Sequence, residues 1–406
     1  MESILRRLNA WGRGSLGTLT RPSGRAPERI ILTESADLLP TILNSDLCSR
    51  GTLLFSPSPH TSTTVHQTRV VPYHGSLIAP GDEMTLSKGI IVEVQEYAAA
   101  SEFAIAGPTL ARITSENDFR AFLYDADCAR QYGAYPPALL HSMVQLCDLC
   151  ALGSAHSCGG PLRRLLVTTT GEVKTTPFAT TLGIIQDGLA TLTANWATYQ
   201  RFPGSGCPVC LSQAVPVTML DAAHQNRPWL SRYLHALNAL RTAAANGLTD
   251  LRVSGFGERL IPSLLSDEPA ADLTLAAANA PLLLFNADMA FLYDPPSKRQ
   301  FLLGSSAACL IEILLAHADH DAAADAAIHH LNITPQTARS ALTQVTRLLA
   351  HSGIRLPTAS GLHGTGLTPW LPERNRVAPE NGPLGISEAA GPATRILPRI
   401  PRPKRG

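Results

Sequence analysis

The stretch from Pro281 to Gly353 constrains the fold most, because it places three short apolar runs directly before three helical patterns. Short apolar runs between turn residues predict β-strands, and apolar residues recurring every three or four positions predict helices. The predicted strands are Pro281–Asn286, Ala290–Tyr293 and Phe301–Leu303. The predicted helices begin at three residues that can cap a helix, Ser305, Asp319 and Thr334. This order predicts a small antiparallel sheet followed by three helices, at residues 281–355.

The same stretch resembles the PqqD-like domain, a winged-helix element that recognises precursors of ribosomally synthesised and post-translationally modified peptides (RiPPs). The likeness rests on the strand Arg299–Leu303, the Gly304-Ser-Ser turn and the helix Thr334–Gly353. In that family a leader peptide adds as a further strand beside the third strand, against the third helix, and backbone hydrogen bonds supply affinity. The resemblance implies a peptide-binding site made of Arg299, Gln300, Phe301, Leu302, Leu303, Arg339, Leu342, Thr346 and Leu349.

Two other interpretations of this stretch stay open, a DNA-binding winged helix and a purely structural module. A helix that reads a DNA groove normally belongs to a basic footprint. The last predicted helix has only Arg339 and Arg347 as cations, and the helix before it carries three aspartates. We therefore predict peptide capture and expect no nucleic-acid partner.

Composition and charge exclude several classes of protein. The chain has 406 residues, which is enough for two or three domains. Its 33 Lys and Arg against 32 Asp and Glu provide no excess charge for a polyanionic partner. No apolar run reaches the ~18–20 residues needed to span a bilayer, and the first residues lack the apolar block of a secretory signal. We expect a cytoplasmic protein with no membrane partner.

Two pairs of cysteines have the spacing of metal-binding knuckles, Cys147-Asp-Leu-Cys150 and Cys207-Pro-Val-Cys210, with Cys158 between them. Two residues between thiolates let both sulfurs reach one ion from a single turn. Two such turns complete a tetrahedral shell that suits zinc or an iron–sulfur cluster. Since disulfides are rare in cytosolic chains, we predict a metal site drawn from these five cysteines. The first pair ends a predicted helix that begins at Pro136, so buried structural thiols are the alternative there.

The residues between the pairs resemble the SPASM or twitch module of radical SAM peptide maturases. The likeness rests on Cys158-Gly-Gly, a hairpin around Gly171-Glu-Val, the Thr181-Leu-Gly turn and the closing Cys207-x-x-Cys210. The cysteine expected after the hairpin proline is Phe178 here, and no C-x-x-x-C-x-x-C loop occurs. This departure argues against an iron–sulfur cluster. We expect a structural zinc or a metal-free relic, with Cys158 a candidate to replace one cysteine of the first pair.

These patterns divide an α+β chain into six segments, which begin with a disordered basic arm at 1–28 and end with a disordered tail at 356–406. Between them we predict a mixed α/β domain at 29–146, the SPASM-like cysteine module at 147–212, a helical connector at 213–280 and the PqqD-like winged-helix domain at 281–355. The tail is rich in proline and glycine and lacks periodicity, which predicts disorder.

The chain contains no nucleophile elbow, phosphate loop or H-E-x-x-H motif, and we predict no catalytic residues. A PqqD-like unit behind a degenerate SPASM-like region resembles the RiPP recognition proteins of daptide biosynthesis. That resemblance implies a protein that binds a ribosomal precursor peptide by its leader and presents the core peptide to separate peptide-modifying enzymes. The alternatives are a metal-dependent maturase related to radical SAM enzymes and a winged-helix DNA-binding regulator.

Overall fold

The computed structural model describes residues 2–14, 29–57, 63–65, 67–86, 89–99, 105–154, 158–200, 206–266, 270–317, 319–354 and 356. All of them belong to one compact unit, Met1–Gly364. Residues 15–28 of the predicted arm and the predicted tail beyond residue 356 lie outside the described residues.

The described helices and strands together form a mixed α+β structure. The α-helices are α1 (Glu2–Arg13), α2 (Leu39–Leu43), α3 (Glu116–Tyr132), α4 (Pro137–Leu140), α5 (Gly188–Tyr199), α6 (Val217–Asn226), α7 (Leu230–Ala245), α8 (Ser305–Ala316), α9 (His320–Leu331) and α10 (Pro335–His351). The strands are β1 (Ile30–Thr33), β2 (Leu53–Pro57), β3 (Thr63–Val65), β4 (Thr68–Gly75), β5 (Glu83–Leu86), β6 (Ile90–Glu96), β7 (Thr109–Arg112), β8 (Val144–Leu146), β9 (Arg164–Val167), β10 (Glu172–Lys174), β11 (Gly183–Ile184), β12 (Arg252–Val253), β13 (Leu282–Phe285), β14 (Ala290–Asp294) and β15 (Arg299–Leu303).

The larger sheet has eleven strands in the order β11-β10-β9-β1-β2-β4-β5-β6-β7-β8, with β3 paired to β4. Its central strand β1 is buried on both faces, since Ile31 packs into one core and Ile30 and Leu32 pack into another. A continuous apolar run of this kind is typical of a parallel strand that is covered on both sides. Strands β9 to β11 come from the predicted cysteine module, so one sheet crosses the predicted boundary at residue 146.

The first residues of the predicted disordered arm form helix α1, which corrects that prediction for residues 2–13. Leu8 and Trp11 are fully buried against one face of the larger sheet. The Trp11 indole Nε1 also donates a hydrogen bond to the carbonyl oxygen of Leu165 at 3.1 Å. The spacing of Ile4, Leu8 and Trp11 gives α1 an apolar face, and burial of that face holds the helix in place.

The helix predicted from Pro136 to Cys150 is wrong beyond its first turn. Helix α4 ends at Leu140, and the chain then forms β8, which pairs in parallel with β7. Leu139 and Leu146 have the spacing of one helical face, but they are buried in a short helix and in a strand respectively. Pairing at the edge of the large sheet therefore outweighs the helical spacing.

The smaller sheet has the order β12-β13-β14-β15, and α8 to α10 follow it, so the predicted order of three strands and three helices is confirmed. Strand β12 comes from the predicted connector and adds a fourth strand beside β13. Alternate side chains of β13 face opposite cores: Leu282 and Leu284 lie in the core that contains α7, and Leu283 lies in the core of α8 to α10. The sheet is therefore covered by helices on both faces.

A buried carboxylate joins the smaller sheet to α8. The Oε1 atom of Glu312 accepts hydrogen bonds from the Ser254 hydroxyl and the Leu260 N–H, and its Oε2 accepts one from the Ile261 N–H at 2.6 Å. Burial raises the pKa of the Glu312 carboxyl, although these hydrogen bonds oppose that shift. The Glu312 carboxylate satisfies backbone donors of a buried loop, so the conformation of that loop depends on it.

We expect Glu312→Ala to lower the free energy of unfolding by about 2–4 kcal/mol, because it leaves several buried donors without an acceptor. Urea denaturation followed by circular dichroism measures the change. The matched control is Glu116→Ala, since Glu116 forms an exposed i,i+4 ion pair with Arg120; its removal costs ~0.5 kcal/mol or less. Equal effects of the two substitutions would contradict the role given to Glu312.

Candidate functional site

Four buried cysteines from three separate loops meet at one point: Cys150, Cys158, Cys207 and Cys210. Their Sγ atoms all lie within 4.8 Å of one another. The Cys158 and Cys207 sulfurs are 3.6 Å apart, and the Cys207 and Cys210 sulfurs are 3.5 Å apart. Four sulfurs at about 2.3 Å from a tetrahedral metal ion would lie about 3.8 Å from each other. The cluster therefore has the composition and the size of a site that could hold a metal ion.

Cys147, the remaining predicted ligand, lies outside this cluster, and its assignment as a ligand is corrected. The residues of β8 alternate between the two faces of the large sheet, so that Leu146 faces the core of α3 and α7 while Cys147 faces α1. The Cys147 Sγ lies 3.8 Å from the carbonyl oxygen of Gln145. Cys158 supplies the fourth sulfur in its place.

Backbone and side-chain hydrogen bonds hold the cysteine loops together. The Cys207 N–H donates to the Cys150 carbonyl at 2.8 Å, which joins the first loop to the third. The Gly160 N–H lies 3.3 Å from the Cys158 sulfur, and the Gln200 side-chain amide lies 2.9 Å from the Cys207 sulfur. Donors that point at sulfur favour the thiolate form, which is the form that binds metal.

One glycine is required for the second loop. Gly160 has a φ of 50°, and a Cβ atom at this position would lie 2.5 Å from the ring of Trp196. Glycine tolerates both the left-handed backbone and the close ring, whereas a larger residue strains the turn. The turn at Gly160 fixes the position of the Cys158 sulfur.

A buried arginine lies against the sulfurs. The Arg164 Nη2 is 3.1 Å from the Cys210 sulfur and 3.6 Å from the Cys150 sulfur, and its Nη1 donates to Asp148 at 2.8 Å. Asp148 also pairs with buried Arg112 at 3.5 Å. Burial lowers the pKa of the Arg164 guanidinium, but the charges of Cys210 and Asp148 more than compensate and raise it.

The charges of this network favour anionic sulfur. Arg112 and Arg164 carry two positive charges and Asp148 carries one negative charge, so one positive charge remains buried when all four thiols are neutral. A divalent ion with four thiolates has a charge of −2, so the network and the occupied site together would carry a net charge of −1 in place of +1. Hydrogen bonds from Cys150 and Cys158 lower the pKa of the Cys207 and Cys210 thiols. Hydrogen bonds with Cys158 and the other sulfurs raise the pKa of the Cys150 thiol, and the pKa of Cys158 is also raised, because its bonds to Cys207 and Cys210 and its burial outweigh the bond to Cys150. Two sulfurs are therefore disposed to ionise, and a metal ion would have to displace the protons of the other two.

The predicted peptide-binding residues fall into two groups. Strand β15 lies at the end of the smaller sheet, with Leu302 71% exposed and the Arg299 guanidinium 4.7 Å from the centre of the Phe301 ring. Gln300 directs its side-chain amide to the Ala239 carbonyl of α7 at 3.4 Å, and Leu303 is half-buried.

On α10, Arg339 and Thr346 are exposed, whereas Leu342 and Leu349 are buried in the core of α8 to α10. The assignment of Leu342 and Leu349 to the wall of a groove is therefore corrected. Their side chains already pack inside the protein, and a substitution there would change its stability first.

Comparison with protein-family models, with curated proteins and with solved structures found no match. Among the described residues, no helix has the length and apolar character to cross a membrane.

We expect the purified protein to contain about one metal ion per chain, as a complete tetrahedral sulfur site predicts. Cys150→Ala and Cys207→Ala should each reduce the metal content to below about a tenth of that in the unaltered protein, because three sulfurs bind a metal ion far more weakly than four. Inductively coupled plasma mass spectrometry measures the metal content of each variant. Cys147→Ala is the matched control, since Cys147 is equally buried; loss of metal in this variant alone would contradict the assignment.

We expect Arg164→Met to weaken metal binding by about 10–100-fold, the usual effect of removing a partner of the ligands. Competition with a chromophoric chelator gives the affinity. Arg163→Met, at the neighbouring half-buried position, should leave the affinity unchanged. Unaltered affinity in Arg164→Met would show that the guanidinium contributes nothing to the thiolate site.

Proposed function

We propose that the protein is a recognition protein of RiPP biosynthesis, which binds the leader of a precursor peptide as an added strand beside β15. The observation that carries the proposal is the position of β15 at the end of the four-stranded sheet. Among the described residues no strand pairs with the outer side of β15, so alternate backbone N–H and C=O groups of Arg299–Leu303 point away from β14. Such an edge accepts an extended peptide readily.

Side chains of β15 would select the peptide. Leu302 is largely exposed on one face of the sheet, and Phe301 and Leu303 are half-buried on the other. An added strand places its own side chains alternately on the same two faces, so apolar residues at alternate positions of the leader would contact these three. On α10, the exposed Arg339 and Thr346 are the members of the predicted wall that remain accessible to a guest peptide.

The metal in this proposal is zinc, and its role is structural. Four cysteine sulfurs close the coordination shell, which is typical of structural zinc sites, whereas catalytic sites keep a position open for water or substrate. Among the described residues all four cysteines are buried, which argues against direct contact between a substrate and the ion. Iron and sulfide in the purified protein would instead favour the alternative of a maturase related to radical SAM enzymes.

The protein would act by presentation rather than by catalysis. A leader bound at β15 leaves the core of the precursor peptide free, and separate enzymes of a daptide-like pathway would modify that core. Holding the substrate beside its enzyme raises the effective concentration of the substrate. Residues around β15 would then determine which precursor is recognised, and the enzymes would determine the chemistry.

The test is a fluorescence-polarisation titration of the full chain with a fluorescein-labelled peptide encoded by a neighbouring short reading frame. We expect Leu302→Asp to weaken binding at least about tenfold, because it places a charge where the leader would bury an apolar side chain. The matched control is Leu265→Asp, an equally apolar residue that is 61% exposed outside the smaller sheet. Equal affinities of the two variants, or binding only to DNA that weakens with salt, would refute the proposal.

A further inference from the structure

A small cavity lies between the chain that leaves β6, helix α3 and helix α4. Its volume is about 160 Å³. A cavity of similar size in another protein accommodates a benzene ring, so a small organic group fits here. Two tyrosines and one carboxylate line it, together with apolar side chains that include Ala121 and Leu139: the polar members are Tyr97, Tyr124 and Asp125. We call this space the tyrosine cavity.

The walls of the tyrosine cavity are fixed by the fold. Ala121, Tyr124 and Asp125 have the i, i+3, i+4 spacing that places side chains on one face of α3. On the opposite wall, the Tyr97 N–H donates to the Arg112 carbonyl at 2.8 Å. The buried Tyr97 ring packs edge-on against Phe122, with 5.8 Å between the ring centres. The cavity is therefore already formed in the unliganded chain.

The Asp125 carboxylate carries the charge of the tyrosine cavity, and one of its oxygens is available. The Tyr97 hydroxyl donates to Oδ2 at 2.7 Å, and among the described residues no donor bonds to Oδ1. None of the ion pairs between described residues includes Asp125, and Arg227, which contacts the same helix, pairs with Asp127 instead. Burial raises the pKa of the Asp125 carboxyl, and the hydrogen bond from Tyr97 opposes that shift. A half-buried carboxylate of this kind is stabilised when a cation reaches it.

We infer that the tyrosine cavity binds a small alkylammonium ion. The ammonium N–H groups would donate to the Asp125 Oδ1, and the alkyl chain would lie against Ala121 and Leu139. Tyrosine rings within about 6 Å of an ammonium group also attract it. Tyr124 is 68% exposed, so it stands at the mouth of the cavity, where a ligand enters from solvent. The inference does not depend on the proposed peptide edge at β15.

Saturation-transfer difference NMR of the full chain tests the inference. The probe is n-butylammonium, and the reference is n-butanol, an uncharged molecule with the same number of heavy atoms. We expect saturable binding of butylammonium with a dissociation constant of about 1 mM or below, and binding of butanol that is at least about tenfold weaker. Asp125→Asn should weaken butylammonium binding at least about tenfold, because it removes the charge. Asparagine keeps an oxygen that accepts the Tyr97 hydrogen bond, so the cavity keeps its shape.

Tyr124→Leu is a second variant, whose exposed position makes loss of folding improbable as a cause. It should weaken butylammonium binding by about two- to fivefold, the effect of losing one exposed ring beside a cation. If Asp125→Asn does not fold, as judged by circular dichroism, unchanged binding in Tyr124→Leu overturns the inference.

Asp127→Asn is the matched control, because it makes the same substitution two residues further along α3. Asp127 pairs with Arg227 at 2.7 Å and does not line the cavity. This variant should bind butylammonium as the unaltered protein does. The inference is also overturned if butanol binds as tightly as butylammonium, or if folded Asp125→Asn and Asp127→Asn bind the probe alike.

Discussion

The carboxylate of Asp148 is the contact on which the rest of the structure depends. The carboxylate is buried between the guanidinium groups of Arg112 and Arg164, and the backbone N–H of Asp148 donates to the Gly12 carbonyl at 2.9 Å. Arg164 then donates to the Trp11 carbonyl at 2.8 Å and approaches the cysteine sulfurs. One charged network therefore connects α1, the large sheet and the candidate metal centre, and each part is buried by the others.

The sequence was most informative where local signals agree. Thr334 and Asp319 are helix caps in the structure, since their side chains accept hydrogen bonds from the N–H groups of Thr337 and Ala322. Helices α9 and α10 therefore begin where capping residues and apolar periodicity together predict them. The closeness of the Cys207 and Cys210 sulfurs was also predictable, because a short turn is enough to bring them together.

Features that depend on distant contacts could not be predicted in this way. Cys147 stays outside the cluster because it points to the α1 side of the large sheet at the end of β8, and β8 itself forms because β7 lies beside it. Arg164 follows another arginine in the sequence, and only the sheet places it against sulfur. Arg13 and Arg241 both donate to the side chain of Asn238, but they are more than two hundred residues apart, so no local pattern relates them. Tertiary packing decides all three cases.

The spacing of the four cysteines has a consequence for the order of events during synthesis. Cys150 leaves the ribosome sixty residues before Cys210, and the strands β9 to β11 lie between them in the chain. A nascent chain that has exposed only the first thiols cannot yet enclose an ion. An ion held by all four cysteines would therefore be captured late, after every strand of the larger sheet has been synthesised.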